Sequence, residues 1–323
     1  MSVTYIAEIG TNHNGDLRLA RRMLDAAAAS GAHYVKFQVW RTERFVEPSS
    51  AYWNDFAREG LALKAYPGLK ARAESRGCRF LATPFDSESL ALLGRLGGDA
   101  VKIASGDMNN LELLSGAVRL RRRLLVSLGG ATLAEIDALV RFLRRSRADF
   151  TLLHCALSYP ADFPELNLRF IRTLQERYRC PTGYSDHSPG VEASLAAIAL
   201  GATVVEKHFT IDRALPGGDN PMSLLPEEFS RLRREGDRVA AALGSGRRTL
   251  SAAELKMRAL IRRKLFAARD IPRGRALTRE AVVALRPQRP GRGLGADEYL
   301  RILGRRARRD IRRGELLVPA LLR

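Results

Sequence analysis

Cysteine, tryptophan and lysine are all scarce in this chain of 323 residues, which carries three, two and seven of them. Cys78, Cys155 and Cys180 are odd in number, lack CxxC spacing and lie in or beside strand-like runs. That pattern speaks against a disulfide framework and predicts buried free thiols. No apolar run approaches the roughly 20 residues that span a bilayer. The first residues also lack the charged and apolar regions of a secretory leader. The expectation is a soluble, cytoplasmic protein with no membrane partner. A further absence bears on the net charge of +19. There is no helix-turn-helix, zinc-finger or RNP pattern and no interleaving of aromatics with the basic residues, so nucleic acid is not the expected partner. The excess is also localised. Residues 244–323 hold 22 Arg and Lys against 7 Asp and Glu, leaving 32 against 28 in the first 243. Such a basic region is either a solvated arginine-rich face or an anion-attracting field.

What is present is regular alternation. Strand-like runs at 4–10, 33–40, 79–85, 100–105, 123–128, 150–157, 181–187 and 203–210 are each followed by an amphipathic stretch. Asp16 opens one helix that stops at Gly31, Ser188-Pro189 opens another that stops at Gly201, and Thr132 with Glu135 forms a capping box. Eight βα units in about 240 residues predict an α/β fold of the (β/α)8 TIM-barrel type. A doubly wound sheet is the weaker alternative, because no GxGxxG turn follows the first strand. The barrel is expected over 1–245 and a linker over 246–261. From 262 to 323 the runs shorten and turn signals multiply, which predicts a small, irregular or β-rich second domain. ARDIPRG at 268–274 and RRDIRRG at 308–314 read as two related turns of a pseudo-symmetric fold.

On a barrel, polar residues at the strand ends share one rim. Here they are Glu8, Lys36, Gln38, Thr83, Lys102, Ser105, Asp107, Ser127, Tyr159, Ser185, Glu206, His187 and His208. Lys36 and Lys102 lie inside apolar strands, where an unpaired ammonium is costly. Either they meet an anionic ligand beside the Ser105, Ser127 and Ser185 hydroxyls, or they pair with an interior carboxylate such as Glu8 or Glu206. His187 and His208 end neighbouring strands, and are either packed core residues or half of an open divalent-metal site. His154 reads as interior packing.

The motifs AEIGTNHNG, YVKFQ, ATPF, KIASGDMNN, GYSDHS, VEKHFT and PGGDNPMSL resemble, in this order, the sialic acid (N-acetylneuraminate) synthase family. RRKLFAARDIPRG and RPGRGLGADEY resemble that family's C-terminal antifreeze-like (SAF) domain. The resemblance implies a transferase that condenses phosphoenolpyruvate with an N-acylated hexosamine, N-acetylmannosamine or a diacetamido-trideoxyhexose, giving a nonulosonic acid and phosphate. It carries His187 and His208 over as ligands of Mn²⁺ or Mg²⁺. Lys36, Thr83, Lys102, Ser105, Ser127 and Ser185 become phosphoenolpyruvate contacts, and Gln38, Tyr159 and Asp219 sugar contacts. Glu8, Lys36 and Asp107 are the expected catalytic groups, Asp107 standing where the family usually has Glu, and Leu157 where it commonly has a polar residue. The resemblance also implies a domain-swapped homodimer, in which Arg289 of the partner subunit reaches the sugar's acyl group. Two other readings remain: another keto-acid phosphate synthase or metal-dependent aldolase, and a polyanion- or ice-binding terminal domain with an inert barrel.

Overall fold

Eight parallel strands, each too apolar to leave either face in water, wind into a barrel in the computed structural model, which describes residues 2–288 and 292–323. They are β1 (Thr4–Gly10), β2 (Tyr34–Val39), β3 (Arg79–Pro84), β4 (Ala100–Ile103), β5 (Arg123–Ser127), β6 (Phe150–Cys155), β7 (Thr182–Asp186) and β8 (Val204–His208). The ladder runs β4-β5-β6-β7-β8-β1-β2-β3, and β3 lies beside β4 to complete the circle. The chain packs as two compact units, Met1–Ser245 and Gly246–Arg323.

Period-two alternation builds the barrel interior in layers. Ile6, Tyr34, Leu81, Leu125, Leu153 and Val204 converge as an apolar plug. Two residues further along the same strands, the inward positions are Glu8, Lys36, Thr83, Ser127, Cys155 and Glu206. A polar layer therefore rests on an apolar floor, with its members fixed by register: Glu8 opposite Lys36 and His208, Ser185 opposite Cys155 and Glu206. The outward set, including Tyr5, Ile9, Val35 and Phe37, is buried under the helices.

Capping follows the sequence reading at two of three helices. Asp16 accepts the N–H of Arg18 at 2.7 Å, and Thr132 forms the full box with Glu135. The third starts later than expected, as Glu192–Ala199, because the Ser188 N–H and hydroxyl are both given to Asp186 at 2.8 and 2.7 Å. Between β2 and the helix Tyr66–Ser75, the chain inserts two short helices, Thr42–Phe45 and Trp53–Glu59.

In the second unit the helix Ala252–Ile261 occupies the expected linker and buries none of its residues. Beyond it, β9 (Lys264–Ala267) pairs antiparallel with β10 (Val282–Leu285). The two related turns cross as an internal dyad. Ile271 and Ile311 exchange both backbone hydrogen bonds at 2.8 and 2.9 Å. Asp310 accepts the N–H of Arg273, and Asp270 that of Arg313, each at 2.7 Å. Gly274 and Gly314 both sit at φ 81°, where a side chain is disfavoured. Arg289 lies outside the described residues. No helix among the described residues is long and apolar enough to cross a membrane.

Candidate active site

A cavity of about 390 Å³ opens at the C-terminal ends of the barrel strands. Its floor carries four buried charges. Lys36 Nζ lies 2.9 Å from Glu8 Oε2 and 3.4 Å from Glu206 Oε1, and donates to Thr83 Oγ1 at 3.1 Å. Lys102 Nζ is held more loosely, 3.5 Å from Glu206 Oε1 and 3.3 Å from the Ile103 carbonyl. The floor is thus two ammonium groups and two carboxylates.

Burial alone would raise the Glu206 pKa, but Lys102 and Lys36 hold it down to about 2, so it stays ionised. Lys36 is raised, because Glu206 and Glu8 outweigh its burial. Lys102 is lowered by burial that Glu206 only partly offsets, with Lys36 adding to the depression. Lys36 donates one hydrogen bond, to Thr83, and has a carboxylate oxygen of Glu8 at 2.9 Å, whereas Lys102 has its nearest carboxylate oxygen at 3.5 Å and keeps capacity for an incoming anion. Beside it, Ser127 Oγ is buried with no hydrogen-bond partner among the described residues, and Ser105 Oγ accepts the N–H of Gly129 at 2.9 Å.

Glu8 is aimed by the bend in β1. The register against β2 slips between Glu8 and Gly10, and Gly10 adopts φ +54°. A Cβ at Gly10 would stand 3.1 Å from Glu8 Oε1 and 3.2 Å from Gln38 Nε2. The missing side chain leaves room for the 3.0 Å hydrogen bond that Gln38 donates to Glu8.

His187 and His208 meet on the opposite wall, ring centroids 5.5 Å apart, with Tyr159 stacked on His187 at 4.0 Å. Burial and the neighbouring His208 ring depress His187 to a pKa of about 3, so the imidazole is neutral. Its Nδ1 is 2.7 Å from the Ala156 carbonyl, which makes Nδ1 the protonated nitrogen and leaves the Nε2 lone pair free. His208 Nδ1 is buried without a hydrogen bond among the described residues, and Asp219 Oδ2 lies 3.5 Å away. A buried pair stiffens this wall from behind. Lys207 Nζ is 3.0 Å from Asp186, which also takes the hydroxyls of Ser188 and Ser194 at 2.7 and 2.5 Å.

Twelve of the fourteen expected site residues line this one cavity: Glu8, Lys36, Gln38, Thr83, Lys102, Ser105, Ser127, Tyr159, Ser185, His187, His208 and Asp219. Asp107 is not on its wall. It sits one residue past Gly106, accepts from Asn110 Nδ2 at 3.1 Å and has its pKa raised by burial. Arg289 lies outside the described residues. Of the two alternatives for the lysines, the structure shows pairing with interior carboxylates, close for Lys36 and looser for Lys102. His154 is interior packing, hydrogen-bonded to the Leu166 carbonyl at 2.7 Å and stacked on Tyr184.

The sequence reading missed Cys155, Glu59 and three phenylalanines on the cavity wall, Phe45, Phe56 and Phe85. Period two from Leu153 would have found Cys155, a thiol that burial pushes up to about 11. Phe45 and Phe56 sit on helices too short for a periodic signal, and Phe85 follows the end of β3.

Parallel barrels of this kind carry their chemistry at this rim, and a rim with buried paired charges, polar atoms without partners among the described residues and two adjacent imidazoles defines a barrel enzyme. The NeuB family model matches residues 23–248, and the SAF domain model matches residues 262–323. The chain belongs to the NeuB family. It is 37% identical to the N,N'-diacetyllegionaminic acid synthase of Campylobacter jejuni over 97% of this chain and 98% of that one. To the synthase of the same name from Legionella pneumophila it is 35% identical, over 98% and 94%. Among solved structures, the N-acetylneuraminic acid synthetase of Leptospira borgpetersenii, crystallised with citrate, is 38% identical with a TM-score of 0.77, covering 80% of this chain and 90% of that one.

Proposed function

We propose that the chain is a nonulosonic acid synthase, a transferase that joins C3 of phosphoenolpyruvate to the aldehyde carbon of an N-acylated hexosamine and releases phosphate. The observation that carries this reading is the coexistence, in one cavity, of a loosely paired Lys102, a Ser127 hydroxyl with no hydrogen-bond partner among the described residues, and the adjacent His187 and His208 rings. The first two suit the phosphate of an enol ester, with Ser105 and the backbone at Gly106 beside it. The names of the relatives, which are legionaminic and neuraminic acid synthases, favour the same chemistry.

The residues fit a divalent ion. His187 presents a neutral ring whose other nitrogen is tied to a carbonyl, the usual arrangement behind a metal-bound imidazole. His208 offers a buried nitrogen without a hydrogen bond among the described residues, so the pair of imidazoles leaves the remaining positions of such an ion to other ligands. Mn²⁺ or Mg²⁺ held by His187 and His208 would act as a Lewis acid on the sugar's carbonyl oxygen.

The chain's own groups account for the remaining steps. Lys102, Ser127 and Ser105 fix the phosphate, and Lys36 with Thr83 and Ser185 faces the carboxylate end. Gln38 and Tyr159 flank the sugar. As the C–C bond forms, the aldehyde oxygen takes up a proton. Water then adds at C2, gives up a proton and displaces phosphate by C–O cleavage. Of the two carboxylates among the expected catalytic groups, Glu8 is on the wall and Asp107 is not, so the reading gives the proton exchange to Glu8, which accepts from Gln38 and lies 2.9 Å from Lys36. The basic terminal unit serves a swapped homodimer in this reading, with Arg289 of the partner subunit at the acyl group.

The test is phosphate release from phosphoenolpyruvate with Mn²⁺ and a panel of free and phosphorylated aldoses. Release only with unphosphorylated N-acylated hexosamines supports the reading. Release with a phosphorylated aldose instead makes the enzyme another keto-acid phosphate synthase, and release with none overturns it.

A further inference from the structure

At the end of the barrel away from the active site, a cavity of about 350 Å³ opens where the chain enters β5 and β6. Five arginines line it, Arg119, Arg121, Arg122, Arg123 and Arg147, against one carboxylate, Asp149. Two of the five are committed. Arg123 is held 3.1 Å from Asp149, and Arg122 donates to the Leu93 and Gly94 carbonyls at 2.8 and 3.0 Å. The side chains of Arg119, Arg121 and Arg147 have no ion pair or hydrogen bond among the described residues. Like charges gathered without partners repel one another. The imbalance is local. An adjoining hollow of about 370 Å³ sets Arg79 and Arg123 against Asp99 and Asp149, in pairs at 2.7 and 3.1 Å. The backbone gives a second sign. The turns into β2, β3, β4 and β8 place Gly31, Gly77, Gly97 and Gly201 in the left-handed region, whereas those into β5, β6 and β7 place Arg121, Arg147 and Arg179 there. At φ 53° and 52°, Arg121 and Arg147 carry a steric cost that glycine avoids. Helix C-termini do attract cations, but Arg119, Arg144 and Arg145 already fill the last turns of the two helices concerned. The turns themselves therefore do not call for Arg121 and Arg147.

We propose that this cavity is a second binding site, for a small anion that carries a diphosphate group. A guanidinium offers paired N–H groups in a planar fork that matches phosphate oxygens. One phosphate monoester carries a charge of about −1.5 to −2, which leaves three unpaired guanidinium groups only partly matched. A diphosphate supplies the rest, and its two phosphates can engage Arg121 and Arg147 together, one from each turn. Asp149 does not compete for them, because it is held by Arg123. The site stands at the opposite end of the strands from Lys102 and Ser127, so it is independent of the condensation proposed above.

The experiment titrates the full chain with pyrophosphate, ADP and orthophosphate by calorimetry, alongside the double variant Arg121→Gly/Arg147→Gly and the single variant Arg119→Gln. Glycine suits both turns and glutamine suits a helix end, so these changes remove charge without removing the fold. The expected result is saturable pyrophosphate binding, weakened by at least about tenfold in the double variant and by about threefold in Arg119→Gln, with orthophosphate bound at least about tenfold more weakly than pyrophosphate. Any pyrophosphate held at Lys102 stays in the double variant, so the binding that is lost there belongs to this cavity. ADP bound as tightly as pyrophosphate supports the site with a nucleotide as its ligand, and ADP bound more weakly supports it with a free diphosphate. Pyrophosphate binding that is unchanged in the double variant overturns the inference, as does orthophosphate binding as tight as pyrophosphate or the lack of saturable binding in the unaltered chain.

Discussion

Single side chains at the rim differ in what they can still do. Lys36 donates to Thr83 and lies within 3.4 Å of both Glu8 and Glu206, while Lys102 has its nearest carboxylate oxygen at 3.5 Å, although sequence presents the two as the same kind of strand lysine. Their neighbours across the barrel make the difference, and no spacing within a strand reveals it. His13 shows the same dependence on burial. In the turn that follows β1, it is fully buried against Phe37 and accepts the Gly15 N–H at 3.1 Å, with Nε2 unpartnered among the described residues. Burial lowers its pKa to about 4, so the folded chain holds the ring neutral where the unfolded chain, titrating near 6.5, takes a proton. Between those values the unfolded state binds more protons, and stability falls as pH is lowered. The window is worth about 3 kcal/mol at full protonation. In His13→Phe that share of the acid sensitivity disappears: the loss of stability between pH 6.5 and pH 4, followed by urea unfolding, becomes smaller than in the parent. An unchanged pH slope would show that the ring does not titrate this way.

At the scale of elements, alternation along each strand does most of the work, and glycines mark where two elements come too close for any side chain. Gly183 faces the barrel interior between β6 and β8, where a Cβ would lie 2.5 Å from Leu153 Cδ2 and 2.5 Å from the Val204 carbonyl oxygen. The side chain can turn away, but a backbone oxygen within a ladder cannot. Gly183→Ala is therefore expected to cost about 2 kcal/mol, seen as a lower urea midpoint at constant m value. Gly68, exposed in the helix Tyr66–Ser75 with nothing within 4 Å of its added Cβ, makes the opposite case. Gly68→Ala gains about 0.5–1 kcal/mol from helix propensity. The eight strands were legible because this period is strict, and each strand-like run ends within two residues of the observed strand. The inward layer was legible for the same reason. Where the chain leaves periodic structure, the sequence said less. Phe45 and Phe56 reach the cavity from helices of four and seven residues that follow β2, too short for a readable amphipathic pattern. Ser188 misled because its hydroxyl satisfies Asp186 instead of a helix end.

For the molecule as a whole, the two units have separate cores. The barrel's core draws on residues from Val3 to Ala240, and the terminal unit's on thirteen buried side chains from Leu265 to Leu322. So small a core leaves little margin, since a domain of this size buries a modest share of its surface. The terminal unit also carries most of the net positive charge, 22 Arg and Lys against 7 Asp and Glu. Its order depends on the dyad, in which each turn supplies the other's missing acceptor: Asp270 to Arg313 and Asp310 to Arg273, around the Ile271–Ile311 bridge. That reciprocity makes one side chain count for both halves. Ile311 is 1% exposed, and Ile311→Ala removes buried methyl groups at the point where the turns cross. Such a truncation costs about 2–5 kcal/mol, which for a unit of this length lowers its midpoint by roughly 10 °C or more. Scanning calorimetry of the full chain should then show a low-temperature transition belonging to the terminal unit, with the barrel transition unmoved. If both transitions shift together, the units unfold as one, and the separation of their cores does not carry into their stability.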